Sequence, residues 1–191
     1  ARESGEKDPP VRQEAVQEEK TLVFGDTTFN AENGESDINP HHDSGGWACI
    51  RYGVGETLFR FTDQMEIEPW LAESYERVDE RTWRITLKEG ISFTSGRIMD
   101  AEAVKECLEA LVEANARAAG NLRLETVTAE GLTLTIGTKV PVPALLNDLA
   151  DPYGCIYDVQ AGVTEDGIVQ GTGPYRAVAL TTDTSLELVK N

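Results

Sequence analysis

The feature that most restricts the fold is a change of hydrophobic period between residues 83 and 112. Trp83, Ile85 and Leu87 alternate with polar residues, and this period of two predicts a strand with one buried face. Apolar residues then recur at helical spacing, which predicts an amphipathic helix: Ala103, Val104, Cys107, Leu108, Leu111 and Val112. Because the strands and helices do not alternate regularly as in a parallel sheet, the sequence predicts an α+β fold.

The predicted strands pair as hairpins. SYERV leads into the strand at Trp83 through a turn at Asp79 and Glu80, and LRLETVTA joins LTLTIGT through Glu130 and Gly131. Near the end of the chain, GTGPYRAVAL and SLELVKN are predicted to pair as two further strands. The glycines of GTGPY precede a β-rich run and not a helix, so they predict a tight turn and not a phosphate-binding loop.

Capping and terminating residues mark the predicted helices. Asp100 is placed to cap the long helix, and Gly120 is placed to end it. Two prolines open a short helix that is predicted over residues 141–149. An earlier helix is predicted after Ser44, with apolar residues at roughly helical spacing: Trp47, Ile50, Val54 and Leu58.

The chain is predicted to divide into a tether and a folded domain. Residues 1–20 have no aliphatic cluster and are rich in Glu, Gln, Lys and Pro. Such a segment cannot bury enough apolar surface to offset chain entropy, so it is predicted to be a disordered acidic tether. The domain is predicted over residues 21–191, with TLVFGDTTF as its first strand.

The formal charge of −17 at pH 7 belongs mostly to the domain, because residues 2–20 carry six acids and four bases. This negative field repels phosphates, which argues against nucleic acid or anionic lipid as a partner. No apolar run reaches the ~18 residues of a membrane span. Cys49, Cys107 and Cys155 lack the spacing of a zinc site and are predicted to be small buried residues, with one disulfide plus a free thiol as the alternative.

Both histidines lie in one loop, DINPHHDSGGW, at residues 37–47. Adjacent residues cannot fold back into a catalytic triad, so His41, His42 and Asp43 are not expected to form one by themselves. Imidazole suits nickel and copper, but two imidazoles leave most coordination positions to other ligands, such as an external chelator. From the residues alone, contact with a metal and an ordinary solvated loop both stay open.

Several segments, in a fixed order, resemble family 5 of the extracellular solute-binding proteins, the dipeptide-, oligopeptide- and nickel-binding components of ABC importers. TLVFGDTTF followed by INPHHD is similar to the family's first strand and the loop after it. The stretch from VGETLFRF to MDAEAV is similar to its central signature, and VQGTGPYRAV and SLELVKN match its later strands. The resemblance extends over residues 20–191.

The resemblance implies a periplasmic-binding-protein type II fold, in which two lobes close on a solute like a clamshell. Residues 21–191 are then a truncated first lobe with a mixed sheet, hairpins and packed helices, and the second lobe is absent. The solute implied is nickel in the form of a chelate, or a short peptide. It is captured without catalysis and delivered to ABC permease subunits in the membrane. No intrinsic cofactor is implied, and the receptor is expected to be monomeric.

The resemblance also implies a ligand site at the loop after the first strand. The implied site residues are Asn39, His41, His42, Asp43, Trp47, Arg117, Tyr153 and Tyr157, with His41 and His42 as the metal contacts. The expected location is the extracellular or periplasmic face, with a lipid anchor on a removed N-terminal cysteine. Two alternatives are a metal-dependent hydrolase that uses His41 and His42, and a surface interaction module that has lost solute binding.

Overall fold

A computed structural model describes residues 21–25, 37–42 and 44–191 of the chain. The helices are α1 (Gly45–Arg51), α2 (Ala101–Ala114), α3 (Ala116–Leu122) and α4 (Leu145–Leu149), with a 3-10 turn at Pro152–Gly154. The strands are β1 (Phe59–Phe61), β2 (Ile67–Pro69), β3 (Ala72–Arg77), β4 (Thr82–Leu87), β5 (Leu124–Glu130), β6 (Thr133–Thr138), β7 (Tyr175–Thr181) and β8 (Ser185–Lys190).

The two predicted hairpins together form the central sheet, in the order β3-β4-β6-β5. Strands β4 and β6 lie side by side with Trp83 opposite Ile136, and α2 packs against β5 and β6. The buried face of β4 carries the predicted residues Trp83, Ile85 and Leu87. The α+β prediction is confirmed. Where the resemblance implies a mixed sheet, every pairing between the described strands is antiparallel.

Helix α2 begins as predicted but ends earlier. The Asp100 carboxylate accepts a hydrogen bond from the Ala103 N–H at 2.9 Å. The helix ends at Ala114, because the side chain of Asn115 accepts from the Ala118 N–H at 3.0 Å and so starts α3. The prediction that Gly120 ends the long helix is therefore wrong, since Gly120 lies inside α3.

Replacing the Asp100 cap should cost about 1 kcal/mol of stability, because Asp100→Ala leaves the Ala103 N–H without its side-chain acceptor. Urea unfolding of the chain at neutral pH measures this loss. Glu109→Ala is a suitable control, since Glu109 is exposed in the middle of the same helix and its loss should change stability by only a few tenths of a kcal/mol. Equal stability of the two variants would contradict the capping role.

Helix α1 is shorter than predicted, and its orientation differs. It ends at Arg51, and Gly53 follows in a left-handed conformation with φ +69°. Its inward face is made of small residues, because a Cβ on Gly46 would lie 2.1 Å from the Pro152 carbonyl oxygen. This close packing turns Trp47 outward, and its side chain is 56% exposed. The prediction of an apolar face through Trp47 is wrong for this reason.

The predicted first strand is not found where the structure describes it. Residues 21–25 of TLVFGDTTF are irregular, and Leu22 and Val23 are exposed. A strand needs a hydrogen-bonded neighbour, and none of the described strands pairs with this segment. The rest of TLVFGDTTF and the predicted tether over residues 1–20 lie outside the described residues.

The GTGPY segment bends and leads into strand β7, and this bend, called here the GTGPY turn, packs directly on the chain after α1. The N–H of Gly173 donates to the Val54 carbonyl, and the N–H of Tyr175 donates to the Gly53 carbonyl, both at 3.0 Å. Strand β7 begins at Tyr175 and pairs with β8. The side chain of Asn191, which follows β8, donates to the Gly173 carbonyl at 3.2 Å. This hydrogen bond ties the end of β8 to the GTGPY turn.

A charged network holds the segment after the 3-10 turn against α2. The Arg97 guanidinium lies 2.8 Å from the Glu106 carboxylate and 3.1 Å from the Asp158 carboxylate. The hydroxyl of Ser95 also donates to Asp158, at 2.7 Å. These contacts hold Asp158, which follows the 3-10 turn, close to Glu106 of α2.

Candidate functional site

The histidine loop is a turn organised by the side chain of Asn39. The Oδ1 atom of Asn39 accepts from the His41 N–H at 3.1 Å, and its carbonyl accepts from the His42 N–H at 3.0 Å. The N–H of Asn39 in turn donates to Asp37 Oδ1 at 3.0 Å. Side chains of this type favour such turns because they bond the backbone two residues on. The turn directs the two imidazoles to opposite sides.

His41 points into the core. His41 is only 3% exposed. Its Nε2 atom lies 3.6 Å from the Cys107 sulfur, and the centre of its ring lies 5.0 Å from that of the Tyr157 ring. Burial, and then the charge of neighbouring His42, lowers the pKa of His41 from 6.5 to about 4. His41 is therefore a neutral imidazole at neutral pH. In that form Nε2 accepts a weak hydrogen bond from the Cys107 thiol.

His42 points into solvent, and its side chain is 53% exposed. Its Nδ1 atom lies 3.3 Å from Asp37 Oδ2, and its Nε2 atom lies 3.4 Å from the amide nitrogen of Asn39. An amide nitrogen donates hydrogen bonds and a carboxylate accepts them. The arrangement therefore suits a neutral ring with its proton on Nδ1 and a lone pair on Nε2.

A pocket of about 260 Å³ opens between the histidine loop and the junction of α2 and α3. It is lined by His41, His42, Ala114, Asn115 and Ala116. The side chain of Asn115 donates to the His41 carbonyl at 3.2 Å, so the residue that caps α3 also holds the loop in place. The helix junction and the histidine loop are thus one unit.

Arg117 lies in the first turn of α3, beside the pocket-lining Ala116. Its guanidinium is 2.7 Å from the Asp151 carboxylate and stacks over the Tyr153 ring at 4.8 Å. The Arg117 side chain is 61% exposed. Tyr153 is buried beneath it, and its hydroxyl accepts from the Asn121 amide at 3.3 Å. Arg117 is therefore a solvent-facing cation held in one orientation by an acid and an aromatic ring.

The structure sorts the predicted site residues into three groups. Asn39, His41, His42 and Arg117 lie in or beside the pocket region, whereas Tyr153 and Tyr157 are buried beneath Arg117 and His41. Trp47 is exposed on α1, and Asp43 lies outside the described residues.

Sequence reasoning missed three residues that support the site. Asp37 contacts His42, Asn115 holds the loop, and Asp151 holds Arg117. Only Asn115 had a usable signal, because an Asn inside a predicted helix is a poor helix former and a good cap for a new helix. Asp37 and Asp151 have their roles through contacts that form only in the folded chain. No local sequence pattern predicts these contacts.

Within residues 21–25, 37–42 and 44–191, no three side chains among His, Cys, Asp and Glu come together so as to hold a metal ion. In the same part of the chain, no helix has the length and apolar character needed to cross a membrane.

The family follows from comparison with known proteins. Residues 66–191 match the bacterial extracellular solute-binding proteins, family 5, in the middle part of that family's sequence. The chain belongs to this family. The match covers the central sheet, the long helix and the GTGPY turn, which carry most of the earlier resemblance.

Curated relatives in family 5 bind different solutes. The nickel-binding protein NikA of Staphylococcus aureus is 36% identical over 127 residues, which are 66% of this chain and 26% of that protein. The glutathione-binding protein GsiB of Pectobacterium atrosepticum is 32% identical over 132 residues, which are 64% of this chain and 26% of GsiB. This family 5 chain thus spans about a quarter of the length of the curated relatives it matches.

Solved structures confirm the predicted fold of the family. The nickel ABC transporter structure from Bacillus halodurans is 37% identical with a TM-score of 0.75, covering 81% of this chain and 32% of that one. NikA from Staphylococcus aureus in complex with Ni(L-His)2 is 31% identical with a TM-score of 0.76. The match covers 81% of this chain and 33% of the NikA chain. The type II periplasmic-binding-protein fold is therefore confirmed for this family 5 chain, as part of a lobe.

Proposed function

We propose that this chain provides part of the solute site of an ABC importer's binding protein, and that its solute is a nickel chelate. His42 supplies one imidazole nitrogen to the metal, and Arg117 binds a carboxylate of the chelator. Delivery of the solute to membrane permease subunits, on the extracellular or periplasmic side, is part of the same proposal. The proposal involves no turnover of the solute.

The contact between His42 and Asp37 carries the proposal. A histidine that binds a metal commonly donates its other ring N–H to a carboxylate, which fixes the ring and makes the ligating nitrogen more basic. Asp37 Oδ2 lies 3.3 Å from Nδ1 of His42, which leaves Nε2 as the lone-pair nitrogen at the pocket. Asn39 contacts Nε2 only at 3.4 Å, so a metal has to displace one long hydrogen bond.

The chelate follows from the number of protein ligands at this pocket. His42 offers one nitrogen, whereas Nε2 of His41 faces the core and the Cys107 thiol. Nickel(II) takes several nitrogen and oxygen ligands, so a small chelator has to supply the others. Arg117 lies one residue beyond the pocket lining, and its planar guanidinium suits a carboxylate of such a chelator.

The matched relatives support nickel as the solute and leave a second candidate. Proteins named as nickel-binding or as nickel transporters include NikA of Staphylococcus aureus and the Bacillus halodurans structure. GsiB, which is named as glutathione-binding, matches at 32% identity, so a short peptide with free carboxylates is the second candidate. Both solutes carry a carboxylate for Arg117, but only the nickel chelate needs His42.

Nickel bound to one equivalent of L-histidine is the appropriate probe, because this complex keeps open coordination positions for a protein imidazole. In calorimetry, His42→Gln should lower the affinity about 100-fold and Asp37→Asn about tenfold, while Asp63→Asn removes an exposed charge elsewhere and should have no effect. The chain has only two histidines, so NMR of the imidazole signals reports each ring separately. Paramagnetic nickel should broaden the His42 signals more than those of His41.

Three outcomes contradict the nickel proposal. The first is unchanged affinity in His42→Gln, and the second is stronger broadening of the His41 ring than of the His42 ring. The third is binding of glutathione, in a manner lost in Arg117→Gln, with no response to the nickel complex at millimolar concentration. This third result would assign the site to a peptide. A zinc complex of L-histidine, which is diamagnetic, serves as the control for broadening.

A further inference from the structure

The three cysteines come together in the core beneath the histidine loop. Cys49 lies on α1, Cys107 lies on α2, and Cys155 follows the 3-10 turn. All three are buried free thiols, although they are widely separated along the chain. The proposed solute site uses none of them as a ligand.

Cys49 and Cys155 face each other across Gly55. A Cβ placed on Gly55 would lie 2.4 Å from the sulfur of Cys155 and 3.8 Å from the Cβ atom of Cys49, so both side chains converge on one small residue. The Cys49 side chain is also a hydrogen-bonding neighbour of Cys155 and contributes to the raised pKa of that thiol. The sulfur of Cys49 donates to the Ile38 carbonyl at 3.1 Å, which fixes its position below the loop.

Cys107 is engaged differently. Its sulfur lies 3.6 Å from Nε2 of His41 and 3.9 Å from the carbonyl oxygen of Cys155. It thus contacts the backbone of Cys155 and the ring of His41. Burial raises the pKa of Cys107 to about 12, so it is a neutral thiol in the folded chain.

We propose that Cys49 and Cys155 form a disulfide when the chain folds in the presence of an oxidising small-molecule disulfide, and that Cys107 remains a thiol. One protein thiolate attacks the small-molecule disulfide to give a mixed disulfide and one free small thiol. The second protein thiolate attacks the mixed disulfide and releases the other small thiol. The two cysteines lose two electrons and two protons, and the small-molecule disulfide is reduced to two thiols.

The location of the family favours this reaction. Its members are described as extracellular, and disulfides persist in such oxidising surroundings. The bridge has to close before the core closes, because Cys49 and Cys155 are at most 1% exposed in the folded chain and an inaccessible thiol exchanges slowly.

The bridge has a structural consequence for the solute site. It ties α1, which follows the histidine loop, to the segment that carries Tyr153 and supports Arg117. It also closes a long loop that contains the whole central sheet, and a long loop gives the largest entropic stabilisation. The oxidised chain should therefore hold both sides of the site together more firmly than the reduced chain.

The test is oxidative refolding of the reduced, denatured chain in a mixture of reduced and oxidised glutathione. Mass spectrometry should show a loss of about 2 Da, and peptide mapping without reductant should link the Cys49 and Cys155 peptides. Cys107 should become alkylated only after denaturation. The melting temperature of the oxidised chain should exceed that of the reduced chain by about 5 °C or more.

Single-site variants separate the pair from the third thiol. Cys107→Ala should keep the bridge and its effect on melting, whereas Cys49→Ala and Cys155→Ala should each lose both. Three alkylatable thiols after oxidative refolding, or a linked peptide that contains Cys107, would overturn the proposal. The peptide map of the unmodified chain decides the pairing even if a variant fails to fold.

Discussion

Acidification from pH 6.5 to pH 4 is expected to lower the free energy of unfolding by about 3 kcal/mol through His41 alone. Burial, and next the charge of His42, lowers the pKa of His41 from 6.5 to about 4 in the folded chain. Well above pH 6.5 the imidazole is neutral in both states, so it does not affect stability there. As the pH falls, the unfolded chain binds a proton that the folded chain excludes, and stability is lost until the pH nears 4.

His41→Gln isolates this effect, because an amide does not titrate and retains an acceptor for the Cys107 thiol. Denaturant unfolding at pH 7 and pH 4, in buffer free of metal, should show a smaller loss of stability in His41→Gln than in the unmodified chain. His42→Gln removes the exposed imidazole and should keep nearly the full loss. The same loss in all three proteins would mean that His41 is not shielded from protonation in the folded chain.

Gly173→Ala is expected to destabilise the chain by about 3 kcal/mol. A Cβ at this position would lie 2.1 Å from the carbonyl oxygen of Gly53, which is backbone and cannot rotate away. The GTGPY turn would have to move, and its hydrogen bonds to Gly53 and Val54 would lengthen. Unfolding in urea measures the loss, and amide exchange of β7 should increase because that strand begins at Tyr175.

Gly120→Ala is the matched control for this substitution. Gly120 is exposed inside α3, and no other atom lies within 4 Å of a Cβ placed there. Alanine is the better helix former, so this variant should be as stable as the unmodified chain or more stable by roughly 0.5–1 kcal/mol. If Gly173→Ala is equally well tolerated, the close packing of GTGPY against Gly53 is wrong.

The hairpins could be predicted because their signals are local. Alternation in TWRITL and LTLTIGT, with turn residues between partner segments, was enough to place β3 with β4 and β5 with β6. The contact of β4 with β6, which makes one sheet from two hairpins, joins distant segments and has no local signal. The prediction that Gly120 ends the long helix failed for a related reason. The side chain of Asn115 caps a new helix, so the long helix ends before Gly120 is reached.

At the candidate site, too, local sequence signals were predictive and contacts between distant segments were not. The family resemblance predicted both histidines as metal contacts, but it treated the two imidazoles alike. The Asn39 turn and the packing of Cys107 and Tyr157 send His41 inward, while Asp37 holds His42 at the surface. Trp47 was wrongly predicted on the buried face of α1, because apolar spacing does not reveal that Gly46 meets backbone too closely for a larger residue to face inward.

Period, capping and turn chemistry act between residues close in the chain, so the sequence by itself determined the fold class, most of the elements and, through its motifs, the family. Burial and side-chain partners arise between segments far apart in the chain. For that reason only the tertiary structure decided which histidine faces solvent, how Arg117 is held and which two thiols meet.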